Sequence, residues 1–328
     1  MAPLCCLCCG HDGEMGKKSK KKAKDKVVVE QAAKQAKKLK KKAEAEAVKA
    51  ADVSFSDALR AGEGTTLADI DPRSTPGFAG DKVAGQEALA ALADPVSDLQ
   101  ERLYAESKAG GKRSVLLVIQ GMDTSGKGGI MRHVVGAVDP QGVDITSFKV
   151  PTAEEKKHPF LWRIRKALPT AGQIGVFDRS HYEDVLVVRV HDLVPKAQWS
   201  RRYGQINRFE AGVVDKGTTI IKVMLHISKD EQKARLAERL ERPDKHWKFN
   251  PGDLDEREHW EDYQEAYQAV IDQTSTDEAP WFVVPADRKW YARLAVMNLL
   301  KEHLEAMDPQ WPTADFDVEE QKARLEES

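Results

Sequence analysis

Residues 114–129 read SVLLVIQGMDTSGKGG, and this stretch decides the fold. Ser114 to Gln120 form a short, nearly continuous apolar run, which is typical of a strand buried on both faces of a parallel sheet. A glycine-rich loop, Gly121 to Gly129, follows this run and leads into an expected helix from about Lys127 to Val138. This order places several backbone N–H groups and the positive end of a helix around one anion. The stretch therefore predicts a phosphate-binding loop.

The loop matches the pattern G-x-x-x-x-G-K, but Gly128 stands where the usual nucleotide-binding loop has the Ser or Thr that contacts magnesium. A magnesium ligand would therefore have to come from another part of the chain. The alternative interpretation is an ordinary glycine-rich turn between a strand and a helix. We expect phosphate to be bound by Gly121, Gly126, Lys127, Gly128 and Gly129.

Strand and helix patterns alternate through the rest of the chain. Further strands are expected at Val143 to Val150, Ile174 to Phe177, Thr218 to Ile227 and Trp281 to Pro285. Helices are expected over residues 86–108, 154–167, 199–214, 230–242, 256–272 and 291–306. This alternation predicts an α/β fold with a five-stranded parallel sheet flanked by helices, in which ligands gather at the carboxyl ends of the strands.

Two aspartates occupy such strand ends. Asp123 lies in the glycine loop, and Asp178 directly follows the expected third strand. If the two strands adjoin, both carboxylates can hold Mg²⁺, with Mn²⁺ as a possible substitute. Asp123 could instead be a turn residue or helix cap, and Asp178 could pair with Arg179. Glu183, in the polar turn that follows, is expected to organise this site from outside.

A second group of cations follows the fourth strand and predicts a basic lid over about residues 239–256. Arg235 and Arg239 are four residues apart and share a helix face, from which two guanidinium groups could clamp phosphates. We expect Arg239 to contact the transferred phosphoryl group, and Lys245 and Lys248 to bind phosphate. Arg235 could instead form surface ion pairs with acidic residues of its own helix.

The N-terminal part has a different composition from the rest of the 328-residue chain. All four cysteines lie in one cluster, Cys5, Cys6, Cys8 and Cys9. This cluster indicates an unstructured tip; the alternative is a metal site, although adjacent cysteines on so short a segment have difficulty surrounding one tetrahedral ion. Residues 17–42 contain 13 lysines and carry a net charge of +11, whereas residues 43–328 carry −11. We expect a flexible arm and linker over residues 1–67, a catalytic domain over 68–312 and an acidic tail over 313–328.

The composition favours a cytoplasmic enzyme. No apolar stretch approaches the roughly 20 residues that cross a bilayer, and the N-terminus lacks the pattern of a secretory signal. We therefore expect no membrane partner. The lysine-rich arm is most simply a solvated segment, although it could tether a polyanion such as nucleic acid or polyphosphate.

Three strings of the sequence resemble the polyphosphate kinase 2 family. They are GMDTSGKGG at 121–129, FDRSHYEDVLVVRV at 177–190 and PDKHWKF at 243–249. The resemblance runs from about residue 68 to 312 and looks closest to the branch that phosphorylates both nucleoside mono- and diphosphates. It implies a P-loop core like that of thymidylate kinase, a helical lid, magnesium, and inorganic polyphosphate as the phosphoryl donor.

The resemblance also implies roles for individual residues. By motif, Asp123, Asp178 and Lys127 correspond to the family's metal and phosphate ligands, and Arg179 and Arg239 to its catalytic arginines. Members of this branch carry Asn at the position of Asp178, so the choice of acceptor nucleotide stays open. The expected reaction is reversible transfer between polyphosphate and AMP, ADP or ATP, with guanine nucleotides also possible, in a homo-oligomer.

Two other functions fit the same sequence. One is an ATP-dependent nucleotide kinase of the thymidylate kinase type, which uses the same core with a different donor. The other is a polyanion-binding protein whose function resides in the basic arm, although nucleic acid is not the partner that we expect.

Overall fold

The structure is a computed structural model that describes residues 53–328. The predicted cysteine cluster and lysine-rich arm lie outside the described residues.

The strands are β1 (Ser114–Gln120), β2 (Val143–Ser147), β3 (Ile174–Asp178), β4 (Thr218–His226) and β5 (Trp281–Pro285). The helices are α1 (Phe55–Leu59), α2 (Lys82–Ala91), α3 (Ala93–Lys108), α4 (Lys127–His133), α5 (Trp162–Lys166), α6 (Val187–Val190), α7 (Lys196–Trp199), α8 (Arg202–Val214), α9 (Lys229–Glu241), α10 (Gly252–Glu258), α11 (Trp260–Thr274), α12 (Lys289–Met307) and α13 (Val318–Glu326).

The five strands form one parallel sheet in the order β2-β3-β1-β4-β5, as the alternation of elements predicted. β1 is central and pairs with β3 on one side and β4 on the other. All seven of its residues are buried, which explains its continuous apolar run. The register places Ile119 opposite Asp178, so the ends of β1 and β3 lie side by side.

Successive residues of each strand face opposite sides of the sheet and enter two separate cores. Leu116 and Val118 of β1 face the core that contains α8 and α11. Leu117 and Ile119 face the core that contains α3, α4 and α12. The sheet is therefore covered by helices on both faces, and only its edges and the loops at its ends are available for ligands.

The segment before residue 68 corrects the expected linker. Over residues 53–67 the chain is packed onto the edge of the sheet: Phe55 and Leu59 are buried, and the backbone N–H of Ala61 donates to the carbonyl of Trp281 at 2.8 Å. The carboxylate of Glu302 accepts hydrogen bonds from the backbone N–H groups of Phe55 and Ser56, both at 2.8 Å. A few buried apolar side chains and backbone hydrogen bonds hold this segment on the sheet, although the segment has few apolar residues overall.

Several helices are shorter than the sequence pattern predicted. The expected helix 86–108 is two helices, α2 and α3, which meet at Leu92. The expected helix 154–167 contains Pro159, which lacks a backbone N–H, and only α5 is α-helical there. Helix α11 starts at Trp260, since α10 precedes it as a separate turn.

The C-terminal segment after Pro312 contains α13, which has no buried residues. It carries the acidic character that the sequence predicted. Within residues 53–328, no helix has the length and apolar character needed to cross a membrane.

Candidate active site

The glycine loop turns sharply between β1 and α4. Gly121, Thr124 and Gly126 have positive φ angles of 152°, 64° and 120°. A Cβ atom on Gly121 would lie 2.8 Å from the carbonyl oxygen of Leu225 in β4, so only glycine fits at this position. The loop thus lies against the end of the neighbouring strand, with its amide groups at the N-terminus of α4.

Lys127, the first residue of α4, folds back across the loop. Its Nζ donates to the carbonyl of Gly121 at 2.7 Å and lies 3.4 Å from that of Met122. Burial lowers the pKa of Lys127, and the nearby carboxylates of Asp123 and Asp178 oppose this effect. A cation that is partly removed from water and sits beside backbone carbonyls is well placed to exchange those carbonyls for phosphate oxygens.

The two predicted metal ligands, Asp123 and Asp178, follow β1 and end β3, and these two strands are adjacent. Asp178 is the last residue of β3, and the backbone N–H of the next residue, Arg179, donates to the carbonyl of Ile119 at 3.1 Å. Arg179 has a φ of 63° and donates through Nη2 to Oδ1 of Asp123 at 2.9 Å. Although burial acts to lower the pKa of Arg179, the surrounding carboxylates of Glu183, Asp123 and Asp178 raise it.

One oxygen of Asp178 has no partner among the described residues. Its Oδ2 accepts a hydrogen bond from Ser147 at 3.1 Å, while its Oδ1 is buried without a hydrogen bond. A buried carboxylate oxygen without a partner is costly unless a cation or water satisfies it. No cluster of three or more potential metal ligands occurs among the residues that the structure describes. Two carboxylates fit Mg²⁺, which usually keeps several waters and substrate oxygens as its other ligands.

Glu183 is partly buried beside these groups. Its Oε2 lies 3.4 Å from Nη1 of Arg179. Burial raises the pKa of Glu183, and Arg179 partly offsets that increase. When the oxygen and nitrogen of the Gln120 side-chain amide are exchanged, the nitrogen donates to Oε1 of Glu183 at 3.1 Å and the oxygen accepts from Ser180. Glu183 therefore contacts both Arg179 and Gln120, and its organising role stays a prediction.

Arg235 holds the loop from the opposite side, and its position does not match the expected phosphate clamp. Its Nη1 donates to the carbonyls of Thr124 at 2.8 Å and Ser125 at 3.0 Å. Its Nη2 donates to the carbonyls of Ala286 at 2.6 Å and Asp287 at 2.9 Å. Its Nε donates to Glu231 at 2.9 Å. A guanidinium has five N–H donors, and all five are engaged within the protein.

The predicted lid consists of a 3₁₀ turn, Pro243–Lys248, followed by α10. Arg239 donates through Nη1 to the carbonyl of Lys248 at 2.9 Å and to Asp253 at 3.1 Å, which ties α9 to the lid. Lys245 pairs with Glu238, and the ammonium of Lys248 lies 4.8 Å from the ring centre of Trp247. Lys245 is therefore paired with a residue of α9, and Lys248 lies against an aromatic ring of the lid itself.

A cleft of about 310 Å³ opens between the glycine loop and the lid. Asp123, Arg179 and Glu183 line its charged side, and Tyr263 and Tyr267 of α11 line another. Burial raises the pKa of Asp253 in the lid, as does the nearby Asp123. A larger cleft of about 630 Å³ lies between α5 and α8, but it contains none of these charged groups.

A buried ionic network, which none of the sequence motifs predicted, supports the polar turn after β3. Lys222, in the middle of β4, donates to Glu210 at 2.7 Å, to the hydroxyl of Tyr182 at 3.0 Å and to the carbonyl of Thr274 at 2.7 Å. Glu210 also accepts from Tyr182 at 2.8 Å and lies 3.1 Å from Nε2 of His181. The signal was a single lysine within the apolar run of β4.

Comparisons with known proteins agree with the resemblance in the sequence. Residues 79–312 match the family described as Polyphosphate kinase 2 (PPK2). An AMP/ADP-polyphosphate phosphotransferase of Meiothermus ruber is 50% identical over 243 residues, which cover 74% of this chain and 90% of that protein. An ADP-polyphosphate phosphotransferase of Rhodopseudomonas palustris is 42% identical over 268 residues, 77% of this chain and 91% of that protein.

A solved structure gives the same result. The crystal structure of polyphosphate kinase 2 from Arthrobacter aurescens TC1 superposes with a TM-score of 0.83 at 55% identity. The match covers 84% of this chain and 98% of that one. The two proteins therefore share their fold over most of this chain.

Proposed function

The chain belongs to the polyphosphate kinase 2 family, and we propose that it transfers the terminal phosphoryl group of inorganic polyphosphate to AMP or ADP in the cleft beside the glycine loop. The observation that carries this proposal is the convergence of Asp123, Asp178 and Arg179 on Lys127 at the ends of two adjacent strands. Charges that are fixed in this way can neutralise the negative charge of a phosphoryl group while it is transferred.

The proposed reaction needs positioning and charge rather than a base. An anionic oxygen of the acceptor's terminal phosphate forms a bond to the terminal phosphorus of the donor. The bridging P–O bond breaks in line with it, and its electron pair leaves on the shortened polyphosphate. No proton has to be removed from the nucleophile, so the residues of the site orient both phosphates and balance their charge.

Each residue of the site has a defined part in this proposal. The loop amides and Lys127 bind the donor's terminal phosphate, and Arg179 neutralises charge on the transferred group. Asp123 and Asp178 would hold Mg²⁺, with Mn²⁺ as a substitute, and the ion would neutralise phosphate charge when bound. Arg239 reaches the reacting phosphates when the lid changes its contact with Asp253.

The revised place of Arg235 changes one part of the expected site. Since all its donors are used on backbone carbonyls and Glu231, it fixes the loop rather than binding phosphate. Lys245 and Lys248 belong to the lid and would contact phosphate only after the lid rearranges. The phosphate ligands proposed for the ground state are therefore the loop, Lys127 and Arg179.

A matrix of donors and acceptors tests the proposal. Long-chain polyphosphate or ATP is supplied with Mg²⁺ to AMP, ADP, GMP and GDP, and the phosphorylated nucleotides are quantified. We expect ATP to form from ADP and polyphosphate, and ADP to form from AMP. If ATP serves as donor to a nucleotide while polyphosphate does not, the proposed donor is wrong and the enzyme is an ATP-dependent kinase. We also propose a homo-oligomeric assembly, which light scattering of the purified chain would test.

A further inference from the structure

One buried glutamine joins the glycine loop to the lid. Gln232 lies in the first turns of α9 and is 1% exposed. Its amide nitrogen donates to the carbonyl of Asp123 in the loop at 3.2 Å, and its amide oxygen accepts from Nη1 of Arg257 in α10 at 2.8 Å. The same Nη1 donates to the carbonyl of Lys229 at 2.7 Å. A single side chain of α9 therefore connects the loop and the lid on the two sides of the cleft.

The two partners fix the orientation of this amide. A guanidinium can only donate hydrogen bonds, and a backbone carbonyl can only accept them. The amide oxygen of Gln232 therefore faces Arg257, and the amide nitrogen faces Asp123. If α10 moves away, the amide oxygen loses its partner, and a buried acceptor without a hydrogen bond is costly. The position of the lid and the geometry of the loop are therefore linked through Gln232.

The hydrogen bond to Asp123 acts on the part of the loop that enters the proposed site. The carbonyl of Asp123 and the N–H of Thr124 belong to one trans peptide unit and point in opposite directions. Holding that carbonyl against α9 therefore fixes the direction of the Thr124 N–H. The carboxylate of Asp123 accepts from Nη2 of Arg179 at 2.9 Å. A chain of hydrogen bonds thus runs from Arg257 through Gln232 and Asp123 to Arg179.

Gln232 differs from Arg235, which holds the loop from the same helix. Arg235 donates to the loop carbonyls of Thr124 and Ser125 and to two carbonyls after β5, none of which belongs to the lid. Gln232 holds the carbonyl of the preceding loop residue, Asp123, and its second partner is in α10. Helix α9 therefore holds three consecutive loop carbonyls, and the first of them is connected to the lid.

We propose that Gln232 is a positioning residue that couples the lid to the glycine loop. When α10 lies on α9, Arg257 fixes the Gln232 amide, and this amide holds the Asp123 carbonyl. The Asp123 carboxylate and Arg179 are then kept in place for phosphoryl transfer. This inference rests on the proposed function, because it states how the loop of that site is aligned. The lid thus does more than cover the cleft, since its position also sets the alignment of the loop.

Steady-state kinetics of single and double variants of Gln232 and Arg257 test this coupling. Gln232→Met keeps the side-chain length but removes both hydrogen bonds, and kcat at saturating Mg²⁺, polyphosphate and ADP should fall about 100-fold through misalignment. Arg257→Met removes only the lid partner and should lower kcat about 10-fold. The double variant should be no slower than Gln232→Met, because Arg257 acts through Gln232. The donor KM should stay within about threefold, since Lys127 and Arg179 remain.

Gln268→Met is the matched control. The Gln268 amide forms a similar bridge far along the chain: it donates to the carbonyl of Thr65 and accepts from the N–H of Leu67, both at 2.8 Å. This variant should lose thermal stability to a similar degree, since it also loses two hydrogen bonds, and should keep kcat within about twofold.

Gln232→Glu separates the two hydrogen bonds of the bridge. An ionised glutamate accepts from Arg257 but has no donor for the Asp123 carbonyl. Its kcat should therefore be as low as that of Gln232→Met, although the contact with the lid is kept. Melting temperatures of all variants would show that they remain folded.

A wild-type kcat in Gln232→Met would overturn the inference, as would losses that multiply in the double variant, because Arg257 and Gln232 would then act independently. Hydrogen–deuterium exchange gives a readout that needs no turnover. Arg257→Met should speed the exchange of backbone amides in residues 121–127, and Gln268→Met should not; unchanged loop exchange in Arg257→Met would also overturn the inference. If loop exchange responds to Arg257→Met while the wild type forms no nucleotide product from polyphosphate, the proposed function fails and the coupling stands.

Discussion

Replacing Lys222 by methionine should destabilise the fold strongly. Lys222 and Glu210 have side-chain exposures of 0% and 2%, and their charged atoms lie 2.7 Å apart. Methionine keeps the length of the side chain but leaves the Glu210 carboxylate buried without its cation. Breaking one partner of a buried ion pair typically costs about 3–5 kcal/mol, which is a large part of the ~5–15 kcal/mol that stabilises an ordinary domain.

Urea unfolding followed by circular dichroism measures this cost. Lys301→Met is the matched control, because Lys301 pairs with Glu305 on the exposed side of α12 with side-chain exposures of 26% and 48%. The control should lose no more than about 0.5 kcal/mol. A loss below about 1 kcal/mol for Lys222→Met would refute the reasoning, since the buried pair would then behave like a surface pair. A Lys222→Met/Glu210→Gln double variant should recover part of the loss because no buried charge remains.

The destabilisation should also depend on pH. Burial acts to raise the pKa of Glu210, but Lys222 and His181 hold it below the usual value of 4.5. In the wild type this carboxylate therefore contributes stability that is present above about pH 4.5 and lost as the pH falls through its lowered pKa. Without Lys222, burial should raise the pKa of Glu210, so the variant loses stability as the pH rises. The difference between variant and wild type should be larger at pH 8 than at pH 5, and a constant difference would contradict this account.

Further substitutions at three positions, Arg235, Asp178 and Arg239, test the site itself. Arg235→Lys keeps the charge but loses the fork that holds the loop, and should lower kcat by about 10²-fold at saturating polyphosphate; a rise in donor KM alone would instead indicate a phosphate ligand. Asp178→Ala should raise the Mg²⁺ concentration for half-maximal activity by about 10-fold or more, and an unchanged Mg²⁺ titration would remove this residue from the metal site. Asp178→Asn should change the ratio of AMP to ADP turnover if this position selects the acceptor, whereas an unchanged ratio would discard that idea. Arg239→Ala should lower kcat by about 10³-fold, and an equal loss in Asp253→Ala would mean that Arg239 serves only to hold the lid.

The sequence was sufficient for the parts of the fold that depend on local patterns. Only a few backbone structures accommodate the apolar run of β1 or the glycines that follow it. The meeting of Asp123 and Asp178 also followed, because parallel strands place their carboxyl ends on one edge and β1 and β3 proved to be neighbours. These patterns do not predict the order of the strands in the sheet. The two aspartates lie at adjacent strand ends only because β3 is the neighbour of β1.

The parts that could not be predicted depend on contacts between distant segments. Phe55 and Leu59 are isolated apolar residues in a polar stretch, and their burial depends on the surface offered by α12 and β5. Lys222 was visible as a charge inside an apolar strand, which should have predicted a buried partner. Its partner Glu210 is on α8, and only the packing of that helix on the sheet brings the two residues together.

Arg235 shows why a shared helix face does not imply a shared function. Arg235 and Arg239 are four residues apart, and both were expected to clamp phosphate because they lie on the same side of α9. One turn of helix separates them by about 6 Å along the axis, which is enough to place Arg235 under the loop and Arg239 beside the lid. The acceptors of Arg235 are four backbone carbonyls after β1 and β5, together with Glu231. Backbone carbonyls carry no signal in the amino-acid sequence, so a residue that binds phosphate and one that shapes the phosphate loop look alike until the loop's position is known.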